Sequence, residues 1–345
     1  MQLSLRRGSS TTAPLVSIAS IGALALRLLE QHADWTVAAT FDRSFYIRSG
    51  PEFICVGDAS IGDGPLNALL AEPEHNQKCH PRAWPEDPAT NYLEMRNHHP
   101  QRAATTSQRS TPAEPWVLGP SPRMTLEGGG DGDRQAASSR KIALPDGRIL
   151  SWCEARIWQA TACPQISPEA LRVGRLEMII AAACDAAPEA SFVHALSSKP
   201  SDDLLARRAR EGMTSLGNAL RDPTVETCEA AAQRLLGLGH GLTPSGDDVL
   251  SGALIMLAAL NRPETAMALS SAIQLHMDTA TSPLSCAFLR AACDGEPSAA
   301  LQHTIALLLN GAAPSQVVAP ARQVGHASGF DMLAGILVAA AARAS

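Results

Sequence analysis

Apolar positions fall into distinct regimes along the 345 residues. From 34 to 69, short runs of β-branched and aromatic residues, DWTVAATF and SFYIRSGPEFICVG, are broken by turn formers such as Ser49-Gly50-Pro51. That alternation predicts strands. The stretch ends in IGDGPLNALL, where Gly62 and Gly64 supply a turn and Pro65 suits the first position of a helix. At 141–158, KIALPDGRILSWCEARIW predicts a hairpin turning at Pro145-Asp146-Gly147. From about 168 onward apolar residues recur at helical spacing. LRVGRLEMIIAAACDAA, DDLLARRAREGMTSLGNAL and ETCEAAAQRLLGLG are each expected to be helices. Ser282-Pro283 predicts an N-cap and first turn for LSCAFLRAACDG, with Gly295 near its end. The class implied is α+β: a β-containing N-terminal part packed on a larger, mostly helical C-terminal part.

Two segments, VLSGALIMLAAL and MLAGILVAAAA, are apolar on every side, and a helix of that kind must be buried. Both begin alike. Ser245-Gly246-Asp247-Asp248-Val249-Leu250-Ser251-Gly252 and Ser328-Gly329-Phe330-Asp331-Met332-Leu333-Ala334-Gly335 each read S-G-x-D-x-L-[SA]-G. Gly239-His240 precedes the first and Gly325-His326 the second. Ser245 or Ser328 can cap its helix, with the acid three residues on in the first turn. Gly252 and Gly335 permit close backbone approach. The two helices are therefore expected to pack on each other and open both starts into one pocket.

Residues 71–140 are different: rich in Pro, Gln, Thr, Asn and charge, without periodicity. Such a composition buries too little apolar surface to offset ordering entropy, so a disordered insertion is expected there. The chain then divides into 1–70, a β-rich part; 71–140, the insertion; and 141–345, the hairpin plus the helical domain with the loops. A net charge of -6 offers no basic stripe to a nucleic acid. The eight cysteines lie without a C-x-x-C pair, which disfavours a zinc ribbon and suits a reducing compartment. Arg6-Arg7 precede a mildly apolar stretch interrupted by Ser17, Ser20 and Arg27, with no convincing cleavage site. No run is long enough for a membrane helix. A cytoplasmic protein is expected, with neither nucleic acid nor membrane as partner.

The chemistry concentrates in GHGLTPSGDD, residues 239–248. Gly239, Gly241, Thr243, Ser245 and Gly246 offer backbone N–H groups and hydroxyls at a helix start, which suits an anion. Asp247 and Asp248 oppose a bare anion. Two readings resolve this. A divalent cation, magnesium being the candidate cofactor, bridges Asp247 or Asp248 to a phosphate; or the acids hold a donor such as an amide beside the anion. One acid is expected to cap the helix and the other to face the pocket, Asp248 being the more inward because it aligns with Asp331. Ser328, Gly329 and Asp331 line the second loop. His240 and His326 are candidates for proton transfer, although a His beside a glycine turn is more often structural. Asn67 is a candidate third wall. Arg290 and Arg322 could pair with an oxyanion, the ordinary expectation being a solvated arginine. No lysine follows the glycines as in a mononucleotide P-loop.

G-x-G-L-T-P-S-G-D-D before an apolar helix, with the later G-H-x-S-G-x-D-x-L-x-G, resembles the AllH family. IGDGPLNALL and Ala155-Arg156-Ile157-Trp158 also look like it; residues 71–140 do not. The resemblance implies the smallest of three subunits of oxamate carbamoyltransferase, in anaerobic allantoin (purine) catabolism. It implies carbamoyl phosphate and oxamate as small-molecule substrates, oxalurate and phosphate as products, and two larger subunits as partners. Asp248, Asp247 and His240 are then the catalytic candidates. The S-T-R-T phosphate loop of aspartate and ornithine carbamoyltransferases is absent, so the site must be of another kind. The alternative is a non-catalytic anion- or metabolite-binding subunit that completes a partner's active site.

Overall fold

The computed structural model describes residues 14–71, 140–163, 165–197 and 203–344. The expected insertion lies almost wholly outside them. The described chain has a β-sheet N-terminal part and a mostly helical C-terminal part, as expected of the α+β class.

Eight strands form one sheet: β1 (Leu15–Gly22), β2 (Thr36–Thr40), β3 (Ser44–Ser49), β4 (Glu52–Gly57), β5 (Asn67–Leu70), β6 (Lys141–Ala143), β7 (Ile149–Ser151) and β8 (Arg156–Trp158). The order is β2-β3-β4-β5-β1-β7-β6. β2, β3 and β4 form an antiparallel meander, and β5 inserts between β4 and β1, parallel to the first and antiparallel to the second. The N-terminal half of β1 pairs with β7 and its C-terminal half with β8, both in parallel. The predicted hairpin is β6–β7, with Gly147 at φ +87° accepting the turn. Helix α1 (Ala23–Gln31) follows β1 directly and buries Ala25, Leu28 and Leu29.

The helix expected after Pro65 is not formed. Asn67–Leu70 is strand β5 instead. A four-residue N-A-L-L has no strong preference of its own, and pairing on both edges satisfies backbone groups that a short helix would leave open.

The remaining helices are α2 (Val173–Ala186), α3 (Leu204–Arg221), α4 (Val225–Leu235), α5 (Ser245–Ala259), α6 (Pro263–Ala280), α7 (Pro283–Cys293), α8 (Ala299–Leu309), α9 (Pro314–Val318) and α10 (Ser328–Ala344). Ser282 caps α7, accepting from the amide of Ser285 at 3.0 Å, and Gly295 beyond its end has φ +73°. α5 and α10 form the centre of the helical core, surrounded by apolar residues of α2, α3, α4, α6 and α8. A second core lies on the sheet, and Leu284, Ala287 and Ala291 of α7 belong to it. α7 therefore joins the two parts.

The α5–α10 contact is made through backbone. A Cβ at Gly252 would fall on the carbonyl oxygen of Met332, and one at Gly335 on that of Val249. These contacts are reciprocal, since Met332 follows Asp331 as Val249 follows Asp248. Gly335→Ala should therefore destabilise the protein, by about 1–3 kcal/mol as for overpacked cores. Gly174→Ala, in a helix with open space at that position, should instead be neutral or stabilising by up to about 1 kcal/mol. Chemical denaturation of the two variants distinguishes a required close approach from helix propensity; equal effects would refute it.

Candidate functional site

Because α5 and α10 touch so closely near their starts, their first turns and preceding loops meet. Thr243 Oγ1 lies 3.3 Å from Ser328 Oγ. The serines are exchanged between loops: the Ser245 hydroxyl comes within reach of Asp331 and the Ser328 hydroxyl within reach of Asp248, each favouring ionisation of that acid. The expectation that Ser245 caps its own helix fails. Pro244 occupies the N-cap of α5 with no side-chain cap, and Ser245 is already helical. Its hydroxyl is thereby free to serve the neighbouring helix.

The loop amides are used locally. Gly246 donates to Leu238 O at 2.8 Å, and Asp247 and Asp248 donate to Pro244 O at 2.9 and 3.3 Å. In the second loop Gly329 donates to Val324 O at 3.0 Å, and Phe330 and Asp331 to Ala327 O at 2.9 and 3.0 Å. These six N–H groups do not point at an open anion site. What the site offers is hydroxyls and carboxyls.

The three acids are all buried, and they differ in their partners. Asp247 accepts from the Gly237 amide at 2.8 Å, from Ser285 Oγ at 2.6 Å and from the Thr281 hydroxyl. Both its oxygens are occupied, and it ties α5 to the turn after α4 and to the start of α7. Asp331 accepts from Ser191 Oγ and the Phe192 amide, each at 2.7 Å, besides Ser245. It thus caps the short 3-10 turn at Phe192–Leu196 and not its own helix. Burial raises the pKa of both, and these bonds oppose the rise.

Asp248 is 3% exposed, and its Oδ2 has no hydrogen-bond partner. Burial, then the negative charge of Asp331, push its carboxyl well above the usual range, with Ser328 opposing. An orphaned buried polar atom costs about 1–3 kcal/mol, more if charged.

The sheet forms the other side. Tyr46 of β3, Cys55 of β4 and Asn67 of β5 are neighbours across successive strands and so share a face. Tyr46 lies within electrostatic reach of Asp248, and its hydroxyl stands near the Cys55 thiol of the paired strand. Burial raises the Tyr46 phenol well above its usual range and the Cys55 thiol to about 11. Phe288 of α7 meets the Tyr46 ring edge-on at 6.3 Å. Leu242 packs into the sheet core, and its carbonyl accepts from Ser282 Oγ at 2.5 Å. Asn67 turns away to donate to Gly62 O at 2.9 Å.

Of the sequence candidates, Thr243, Ser245, Gly246, Asp247, Asp248, Ser328, Gly329 and Asp331 gather at this point. His240, Gly241 and His326 are exposed, as is Arg322. Arg290 lies apart, on Asp278 at 2.9 Å. Among the described residues no cluster of three or more His, Cys, Asp or Glu could hold a metal ion. Sequence reading missed Tyr46, Ser191, Thr281 and Ser285. Tyr46 alone carried a signal, as one of only two tyrosines in the chain; the serines and threonine carried none.

The raised pKa of Asp248 has a signed consequence. A carboxyl whose folded pKa exceeds its unfolded one stabilises fully below the unfolded value, and that contribution is lost as pH rises through the folded value. Asp248→Asn cannot ionise. Its melting temperature should fall less than wild type between pH 5 and pH 9, by about 2–4 °C for each kcal/mol removed. Parallel melting profiles for the two proteins would show that Asp248 does not titrate in this way.

A search of curated proteins and a search of solved structures each returned no match. No described helix is long and apolar enough to cross a membrane. Residues 235–340, which contain α5, most of α10 and both converging loops, match the family described as oxamate carbamoyltransferase subunit AllH, so the AllH resemblance carried by the two loop motifs holds over the segment that contains them.

Proposed function

We propose that this chain is a subunit of a carbamoyltransferase of the oxamate/oxalurate type, acting in purine catabolism with two larger partner subunits. In that reaction a carbamoyl group passes between phosphate and the amide nitrogen of oxamate. The observation that supports the reading is the unpartnered Asp248 Oδ2 at the meeting point of the two S-G-x-D loops. The family match covers the same segment. Hydroxyls of Thr243, Ser245 and Ser328 and the carboxyl of Asp248 suit a small ligand with both donors and acceptors. Preorganised groups of this kind act by holding the ligand where charge develops. The phosphate end must be held elsewhere than by the bonded amides at the two helix starts, and a partner subunit is the natural source.

That division of labour favours a second reading, in which this subunit binds a ligand and a partner performs the chemistry. The exposure of His240 and His326 supports it, because neither histidine of the two loops is buried among the acids as a proton carrier, and the half-buried His194 stands within electrostatic reach of Asp331.

Co-production with the two larger subunits and assay of oxamate-dependent release of phosphate from carbamoyl phosphate tests the proposal. Asp248→Leu should lower kcat/KM about 100-fold, as for loss of one preorganised polar group. Glu177→Gln, on the exposed face of α2, should have no effect. No transfer by the wild-type complex, or equal rates for Asp248→Leu and wild type, would refute the assignment.

A further inference from the structure

We propose that the Asp248 carboxyl is the recognition point for a primary amide or ureido end of a small ligand, and that it discriminates against the corresponding acid. This rests on the site proposed above and names the class of group it takes.

Asp248 is 3% exposed, and its Oδ2 has no partner, whereas the oxygens of Asp247 are all bonded. Asp331, built into the other loop in the same way, is served by Ser191, Phe192 and Ser245. Only the acid at the centre, with Ser328 on its carboxyl, keeps an open valence. Buried polar atoms are seldom left so unless a ligand completes them.

The surroundings fix what can complete it. No arginine or lysine side chain of the described residues pairs with Asp248, while Asp331 and Asp247 place two further acids nearby. A carboxylate or phosphate brought to Oδ2 would meet like charge without a compensating cation. An amide or ureido group presents N–H and C=O side by side. Its N–H donates to Oδ2 if Asp248 is ionised, and its C=O accepts from Oδ2–H if Asp248 is protonated. The fit therefore holds in either state, whereas an ionised acid can only accept: it has no N–H for an ionised Asp248, and it reaches a protonated one only against the two further acids beside it. The Thr243 and Ser328 hydroxyls, 3.3 Å apart, stand beside it to complete the ligand's remaining bonds.

Binding calorimetry on the full chain decides this. Oxamate and hydantoate carry an amide or ureido end; oxalate and malonate carry only acids. Wild type should bind the first pair about tenfold or more tightly than the second, since a site built for N–H rejects analogues lacking it. Asp248→Leu, branched at Cγ like aspartate and unable to form hydrogen bonds, should lose that preference. The preference is measured in wild type, so misfolding of the variant leaves the test intact. Absence of binding by both amide compounds, equal binding of acids and amides, or an unchanged preference in folded Asp248→Leu would overturn the inference. Amide preference in a complex without carbamoyl transfer would sink the proposed reaction and leave this site standing. Transfer without amide preference would do the reverse.

Discussion

The contact on which the rest depends is backbone against backbone, where Gly252 meets the carbonyl of Met332 and Gly335 that of Val249. A side chain at either position would hold the axes of α5 and α10 further apart. With glycine at both, the first turns of the two helices come close enough for hydroxyls to cross between them. Ser245 reaches Asp331 and Ser328 reaches Asp248. Those crossed contacts follow from the helices touching through main chain.

Burying three carboxyls at one place is expensive, and the structure offsets the cost unevenly. The helix N-termini favour negative charge. Asp247 gains the Gly237 amide and two hydroxyls, and Asp331 an amide and two hydroxyls. Asp248 gains Ser328 and no partner for Oδ2. The first two acids organise the turns around them, linking α4, α5, α7 and the 3-10 turn before α3. The third retains the polarity of the site as capacity for something else to bond.

The sheet is more than a platform. Leu242 anchors the GHGLTP loop in the sheet core, and Ser282, capping α7, holds the same residue's carbonyl. Tyr46 and Cys55 face the acids from strands that lie outside the matched segment 235–340. The loop that covers Asp248 is thus fastened to both parts, and the sheet and the helices share in forming its surroundings.

Much of this was legible in the sequence. A helix apolar on every side must be buried, so the central place of α5 and α10 followed from VLSGALIMLAAL and MLAGILVAAAA. The twin S-G-x-D starts with a glycine four residues on predicted that they meet. Turn chemistry placed Gly147 and the Ser282 cap, because those are properties of a few adjacent residues. Other features depended on residues distant along the chain. Asn67–Leu70 became a strand because two neighbours were waiting to pair with it. Ser245 ceased to be a cap because Asp331, 86 positions later by number, took its hydroxyl. Which of two adjacent acids kept an open oxygen was decided by Thr281 and Ser285, unremarkable residues until packing set them against Asp247. Local sequence determines what a segment can form by itself; the partner of each buried polar atom is chosen only when distant segments are packed together, because hydrogen bonding requires contact and contact is a property of the whole fold.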